Sequence, residues 1–279
     1  MKILIFLLLL SSSTCFGQKI KKIANLPKSI AESSGLIMYN DTLFITHNDS
    51  GDKPILYFVN LQGKLIHQVA ILNAINKDWE ELTKDEKGNI YIGDIGNNQN
   101  KRKDLSIYKI SSENLLKITH TVAKLITFSY PDQTAFPPSD SLLNFDAEAM
   151  CFYHDSIWIF TKCRAIPFHG NSFIYSLPCE PGNYIATAKG KLFIGDNGFT
   201  KDAVTGATFG NSSLYLNTYN RIVVYELKNK SFQFNKMIAT TPYSQKEAIT
   251  ISNDHSTLFL TDEVQKIIGG GKIYKINLK

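Results

Sequence analysis

The chain has 279 residues, 43% of them hydrophobic, with 30 Lys and Arg against 25 Asp and Glu and a formal net charge of +5. Positive charge this mild and this scattered leaves no nucleic-acid footprint. No apolar run reaches the roughly 18 residues that a membrane helix requires, so neither a nucleic-acid partner nor a transmembrane segment is expected.

The chain opens with Lys2, the apolar run from Ile3 to Leu10, and the small-residue stretch Ser11 to Gly17. That pattern is a secretory signal peptide over residues 1–17, leaving a mature chain of 18–279 that is exported to the periplasm or beyond. The rival reading makes Cys15 a lipidated anchor, although Thr14 before it fits such a motif poorly. Without Lys2 the mature chain carries 29 basic residues against 25 acidic, a net charge of +4. Its Lys19, Lys21 and Lys22 read as solvated surface. Cys151, Cys163 and Cys179 remain, an odd count in which buried thiols and a disulfide both stay open.

After a first strand expected over Ile20–Leu26, one pattern returns five times. A Tyr lies in each of Leu56-Tyr57-Phe58-Val59, Ile107-Tyr108-Lys109-Ile110, Ile174-Tyr175-Ser176-Leu177, Val224-Tyr225-Glu226-Leu227 and Ile273-Tyr274-Lys275-Ile276. The spacings are 51, 67, 50 and 49 residues, the mark of repeated supersecondary units. A second apolar strand precedes each: Leu43–Thr46, Ile90–Gly93, Ile157–Phe160, Leu214–Asn217 and Leu258–Thr261. Turn residues precede those, and a further strand begins near Ser34, Glu80, Glu148, Thr205 and Glu247. Fourth strands are expected over Lys64–Ala70, Thr121–Phe128, Tyr184–Ile194 and Ser231–Ile238. The fifth unit runs out at Lys279, and the N-terminal strand supplies its missing partner. The fold class is therefore all-β: one propeller of five four-stranded blades over residues 18–279, closed by the N-terminal strand. Six blades are the alternative, if Lys191–Asp196 begins another. The tyrosines read as packing between sheets, with the hydroxyl at the edge.

Overlaying the first strands brings one position into a ring: Ser34, Glu80, Glu148, Thr205 and Glu247. Two residues earlier stand Glu32, Asp78, Asp146, Ala203 and Gln245. First strands line a propeller's channel, so Glu32, Asp78, Glu80, Asp146, Glu148 and Glu247 are expected to meet at one mouth. Crowded carboxylates hold protons or recruit a cation, and hard oxygen ligands suit Ca²⁺ ahead of Mg²⁺. Asn48, Asp94 and Asp262, at the second-strand ends, are candidate ligand-binding groups. Lys162 and Arg164 there would suit an anion. If the protein is a catalyst, Glu80, Glu148, Lys162 and Arg164 are the candidates. The competing structural reading has the same carboxylates hydrogen-bonding the neighbouring blade. Asp49-Ser50-Gly51-Asp52 resembles a calcium loop only loosely, and the six histidines show no metal spacing.

Glu32-Ser33-Ser34-Gly35-Leu36, Thr46-His47-Asn48-Asp49-Ser50-Gly51-Asp52, Asp78-Trp79-Glu80-Glu81, Ile92-Gly93-Asp94-Ile95-Gly96-Asn97-Asn98, Asp146-Ala147-Glu148-Ala149 and Glu247-Ala248-Ile249 together resemble the SdiA-regulated and phytase-like (esterase-like) group of bacterial propellers. The resemblance implies an exported propeller with a cation in its channel mouth, and no established activity. Three functions follow as expectations: a binding module holding a divalent cation and a small ligand, a metal-dependent hydrolase of a phosphoester, lactone or ester, or a structural interaction platform. A monomer is expected, and sequence selects neither substrate nor partner.

Overall fold

Each repeat becomes a sheet because its apolar runs are short, β-branched or aromatic, and broken by residues that accept tight reversals. His154 and Asp155 have φ of 46° and 52°, Asn211 and Ser212 50° and 56°, Asn229 and Lys230 51° and 64°. Two successive left-handed residues form hairpin turns whose twist matches that of the paired strands. The computed structural model describes residues 19–267 and 269–278. The expected signal peptide, residues 1–17, and its Cys15 lie outside the described residues.

β1 (Lys21–Asn25) comes first. Blade 1 is β2 (Ser33–Asn40), β3 (Leu43–Asn48), β4 (Ile55–Asn60) and β5 (Leu65–Ile71). Blade 2 is β6 (Trp79–Lys84), β7 (Ile90–Asp94), β8 (Leu105–Ile110) and, after the two-residue β9 (His120–Thr121), β10 (Lys124–Ser129). Blade 3 is β11 (Asp146–Tyr153), β12 (Ser156–Lys162), β13 (Asn171–Pro178) and, after β14 (Gly182–Ile185), β15 (Thr187–Phe193). A one-turn helix, α1 (Phe199–Asp202), leads to blade 4: β16 (Gly206–Gly210), β17 (Ser213–Asn217), β18 (Arg221–Lys228) and β19 (Ser231–Ala239). Blade 5 is β20 (Lys246–Ile251), β21 (Thr257–Asp262) and β22 (Lys272–Asn277), completed by β1.

The chain is a five-bladed β-propeller. β1 runs antiparallel to β22, Lys21 facing Lys275 and Asn25 facing Lys272, so the first strand closes the ring. Residues 191–196 do not start a sixth blade: they are the end of β15 and the loop after it. The inner strands β2, β6, β11, β16 and β20 neighbour one another around the axis. One apolar cluster fills each of the five gaps between blades, with Trp79, Phe58, Phe160 and Tyr175 among its largest buried side chains.

Two expected fourth strands are each divided between blades. β9 pairs in parallel with β5, and β14 with β10, so each adds a fifth strand to the preceding blade. The tyrosines also separate. Tyr57, Tyr108, Tyr175 and Tyr274 share a register, facing Thr46, Ile92, Ile159 and Leu260, whereas Val223 holds that place in blade 4. Tyr225 sits two residues further along. Hydroxyls of the first set reach a loop or a strand end: Tyr175 donates to Asp132 at 2.9 Å and Tyr274 to Asp262, the last residue of β21, at 2.7 Å. Tyr225 instead donates to the Phe193 carbonyl of blade 3 at 2.5 Å.

The axis is blocked at its waist. The five residues just after the Ser34–Glu247 ring are Gly35, Glu81, Ala149, Gly206 and Ala248: four small residues and one glutamate. Glu81 is wholly buried and its carboxylate fills the space the others leave. Its Oε2 accepts the Ala207 N–H of blade 4 at 2.9 Å and its Oε1 the Leu82 N–H at 3.0 Å. The N–H groups of Leu36 and Met150, on blades 1 and 3, face it as well. Burial pushes its pKa well up, and these four donors pull it back by favouring the ionised form. Gly35 is needed beside it, because a Cβ there would lie 2.6 Å from the Leu82 nitrogen.

Candidate functional site

The end of the channel where the inner strands begin is lined by carboxylates. The strand pairing explains why. Register shifts, each marking a β-bulge, fall between Ser33 and Leu36, Trp79 and Glu81, Ala147 and Ala149, and Lys246 and Ala248. A bulge re-aims a side chain that strict alternation would place elsewhere. The extra residues include Ser34, Glu80, Glu148 and Glu247, the positions that the overlay of first strands brought into one ring.

The ring divides by what each member bonds. Ser34 donates to the Glu80 carbonyl at 2.8 Å, and Thr205 to the Lys246 carbonyl at 2.7 Å, so the two hydroxyl members lock adjacent blades. Glu148 and Asp146 face cations. Lys162 Nζ lies 2.5 Å from Glu148, and Arg164 bridges Asp146 at 2.5 Å and Glu148 at 3.1 Å. Asp146 also accepts the Asn97 N–H at 2.7 Å. Lys162 is buried, yet its pKa is drawn well up: the charge of Glu148, then of Glu247, outweighs desolvation. It also donates to the Tyr219 hydroxyl at 2.9 Å. Burial pushes Glu148 up to about 8 against the pull of Lys162 and Arg164. Burial likewise raises Glu247, opposed by Lys162 and by hydrogen bonds from Gln245 and Tyr219.

On the opposite side the carboxylates crowd without a cation of their own. Asp49, Asp78 and Glu80 each bring an oxygen to within 4.8 Å of the other two. Burial, then the neighbouring charges of Asp78, Glu247 and Glu32, raise Asp49 to about 7. Burial and Asp146 raise Asp78 to about 6. Burial, with Glu148, Asp49 and Asp78, holds Glu80 well above the usual range. Glu263 joins this side, raised to about 9 by burial and Glu247, and accepts a 2.6 Å hydrogen bond from Gln245. Gly96 packs directly behind the group: a Cβ there would collide with Glu80 and Asp78. The three oxygens are hard donors in a cradle closed on one side by backbone, which fits a divalent cation such as Ca²⁺ or Mg²⁺.

The other sequence-derived candidates fall around this centre. Glu32 is exposed at the rim, close enough to raise Asp49 and Glu263 electrostatically. Asn48 is buried, accepting the Glu32 N–H at 3.2 Å and donating to the Ser29 carbonyl at 2.9 Å. Asp94 pairs with Arg102 at 2.8 Å and accepts the Asp78 N–H at 3.2 Å, positioning Asp78. Asp262 is wholly buried, taken up by Tyr274 and the Lys272 N–H at 2.8 Å.

Asp49 and Glu263 were not among the expected cation ligands. The pairings Ser33 with Asn48, Trp79 with Asp94, Ala147 with Thr161 and Lys246 with Asp262 are equivalent. The next residues, Asp49, Ile95, Lys162 and Glu263, therefore share one level of the mouth. A second irregularity in β2, between Met38 and Asn40, displaces β3 by one residue from its counterparts and hides that equivalence. Glu81 left a sequence signal that went unread, a single Glu among Gly, Ala, Gly and Ala.

No protein-family model matches the chain. A search of curated proteins likewise finds no match. Solved structures do. A glutaminyl cyclase from Myxococcus xanthus superposes with a TM-score of 0.57 at 10% identity, over 93% of this chain and 96% of that one. The PQQ-bound aldose sugar dehydrogenase of Streptomyces coelicolor gives 0.52 at 10% identity, over 93% and 98%. At such identity the likeness establishes the propeller fold alone. No helix among the described residues is long and apolar enough to cross a membrane.

Proposed function

We propose that this protein is an exported propeller whose channel mouth binds a divalent cation at Asp49, Asp78 and Glu80, together with a small anionic ligand. The observation that carries the reading is the convergence of three carboxylates within 4.8 Å, none of them ion-paired among the described residues. Three negative charges so placed in a partly desolvated cradle repel one another, and a cation replaces the protons that otherwise relieve them. Ca²⁺ is favoured over Mg²⁺ because carboxylates from two separate chain segments suit its irregular, all-protein shell. Lys162 and Arg164, across the mouth, supply the positive wall that an anionic group would face. The N-terminal pattern of residues 1–17 supports export, and the motif resemblance supports placement in the SdiA-regulated and phytase-like group.

A second reading, hydrolysis of a phosphoester, lactone or ester, has one observation in its favour. Glu148 is a buried, raised carboxyl beside the same cradle and outside the cation's ligand set. In that reading the cation would supply Lewis acidity, Glu148 would accept a proton, and Arg164 would orient the anion.

Isothermal titration of chelator-treated protein with Ca²⁺ and Mg²⁺ tests the proposal. A stoichiometric site lost in Asp78→Asn is expected. Equal heats for the wild type and that variant would reject it. A hydrolase screen with and without chelator then separates binding module from catalyst.

A further inference from the structure

The loop between β10 and β11, residues 130–145, lies against β13 of blade 3 and leaves a cavity of about 220 Å³ between them. We propose that this cavity binds a small quaternary ammonium cation.

The walls are aromatic and held in place. Phe173 and Tyr175 stand two residues apart on β13, hence on one face of the strand, and Phe145 closes the loop side. Tyr130 is wedged behind them, its ring 4.6 Å from that of Tyr175 and 5.4 Å from that of Phe145. The loop is anchored at both ends. The Gln133 amide donates to the Asn100 carbonyl at 2.9 Å, and the Phe145 N–H to Asn100 Oδ1 at 2.7 Å. The Ile166 N–H donates to the Asp140 carbonyl at 3.0 Å. One carboxylate stands at the cavity's edge. Asp132 is exposed, and the Tyr175 hydroxyl donates to both of its oxygens at 2.9 Å, which holds it beside the rings.

Electron-rich ring faces and one carboxylate select a cation over an anion. The kind of cation follows from what the walls offer. A primary ammonium brings three N–H groups, each of which wants an acceptor. Asn144 Oδ1, at the cavity wall, already lies 2.9 Å from His169 Nε2. A quaternary head spreads its charge over methyl groups, which aromatic walls receive without loss of hydrogen bonds. The volume is below the roughly 300 Å³ where drug-sized pockets begin, so the fit is to a head group a few atoms across. Two of the protein's own cations already sit on aromatic faces nearby. Lys191 Nζ lies 5.9 Å from the centre of the Phe173 ring, and Lys103 Nζ 4.7 Å from that of Phe136. Neither lysine lines the cavity, so each shows the pull of these rings and opposes a ligand cation only from outside.

Choline is the probe. Isothermal titration of the folded protein at low ionic strength should give saturable binding. The neutral carbon isostere 3,3-dimethylbutan-1-ol has the same shape without the charge, and should bind about tenfold more weakly or worse. Phe173→Leu should weaken choline binding by about two- to thirtyfold, the range for one lost cation–π face. Asp132→Asn should weaken it severalfold at low salt and less at high salt, because an exposed carboxylate is screened. Lys191→Ala, which removes a competing cation, should leave binding equal or tighter. Equal affinity for choline and the isostere would overturn the proposal, and that comparison needs no variant to fold. Absence of saturable choline binding would overturn it as well. So would choline binding unchanged in both Phe173→Leu and Asp132→Asn, or weakened in Lys191→Ala. Capture of phosphatidylcholine vesicles with no response to free choline would move the head group to a membrane and reject the small cation.

Discussion

Glu81 and Ala207 lie 126 residues apart in sequence and on different blades, yet the carboxylate of one accepts the backbone N–H of the other at 2.9 Å. The Leu82 N–H donates to the same group, and those of Leu36 and Met150 face it, so one carboxylate meets backbone donors from four blades. Stripping the acceptor leaves those donors in a site without water. Glu81→Ala should therefore destabilise the protein by at least about 3 kcal/mol, since each orphaned buried donor costs roughly 1–3 kcal/mol. Glu81→Gln, whose amide keeps one acceptor oxygen and turns the other into a donor, should fall between. Denaturant unfolding of the two variants measures this, and a Glu81→Ala protein as stable as the wild type would refute the waist as a lock.

Ring closure predicts a second loss. β1 supplies both a ladder to β22 and the buried Ala24. Deleting residues 19–25 should expose the β22 edge and lower the thermal midpoint of the whole domain, by about 2–4 °C for each kcal/mol lost at this size. A truncated protein that melts with the wild type would show that the ring holds without its first strand.

The cation reading makes melting depend on ions. A ligand that binds only the native state adds about 2.7 kcal/mol at a hundredfold excess over Kd. The midpoint should rise with Ca²⁺ and fall with chelator. Asp78→Asn combined with Glu80→Gln should abolish that response and raise stability in chelator, because it removes repulsion. Gly96→Ala, whose Cβ would collide with Glu80 and Asp78, should displace both carboxylates and weaken the response without removing either. Melting indifferent to calcium, magnesium and chelator would leave the mouth as internal hydrogen bonding.

In chelator the same group sets a pH dependence of definite sign. Asp49 and Asp78 titrate near 7 and 6 in the folded protein, above the ordinary carboxylate value of roughly 3.9 in the unfolded chain. Between those values the folded state holds more protons than the unfolded state, so stability falls as pH rises from about 4 to 7. Calcium should flatten that slope, and its uptake at pH 6 should release protons. Calorimetry in buffers of different ionisation enthalpy counts them.

The architecture was legible because a fifty-residue period, apolar runs and turn residues all point the same way, and the extra strand ahead of the first repeat anticipated the closure. The site was legible only in part. Glu80, Glu148 and Glu247 stand out because bulges recur at the same place in each repeat. Their fates diverge through partners that no spacing reveals: Arg164 and Lys162 draw Asp146 and Glu148 away from the free carboxylates. Asp49 was obscured by the additional irregularity in β2. Tyr225 imitates the period of the other tyrosines while sitting two residues out of register, since periodicity in sequence is measured along the chain and register across it.

The parallel strands β9 and β14 make the ring mechanically uneven. Each lies in the connection between the third and fourth strands of its own blade and turns aside to bond the preceding blade, so blade 2 is sewn to blade 1 and blade 3 to blade 2. Blade 4 has no such seam among the described residues, and β19 forms its open outer edge. Force or heat applied to this propeller therefore meets a stitched half and an unstitched half. Amide exchange should begin along β19 and spread toward the N-terminal closure, sparing longest the blades that carry Asp49, Asp78 and Glu80.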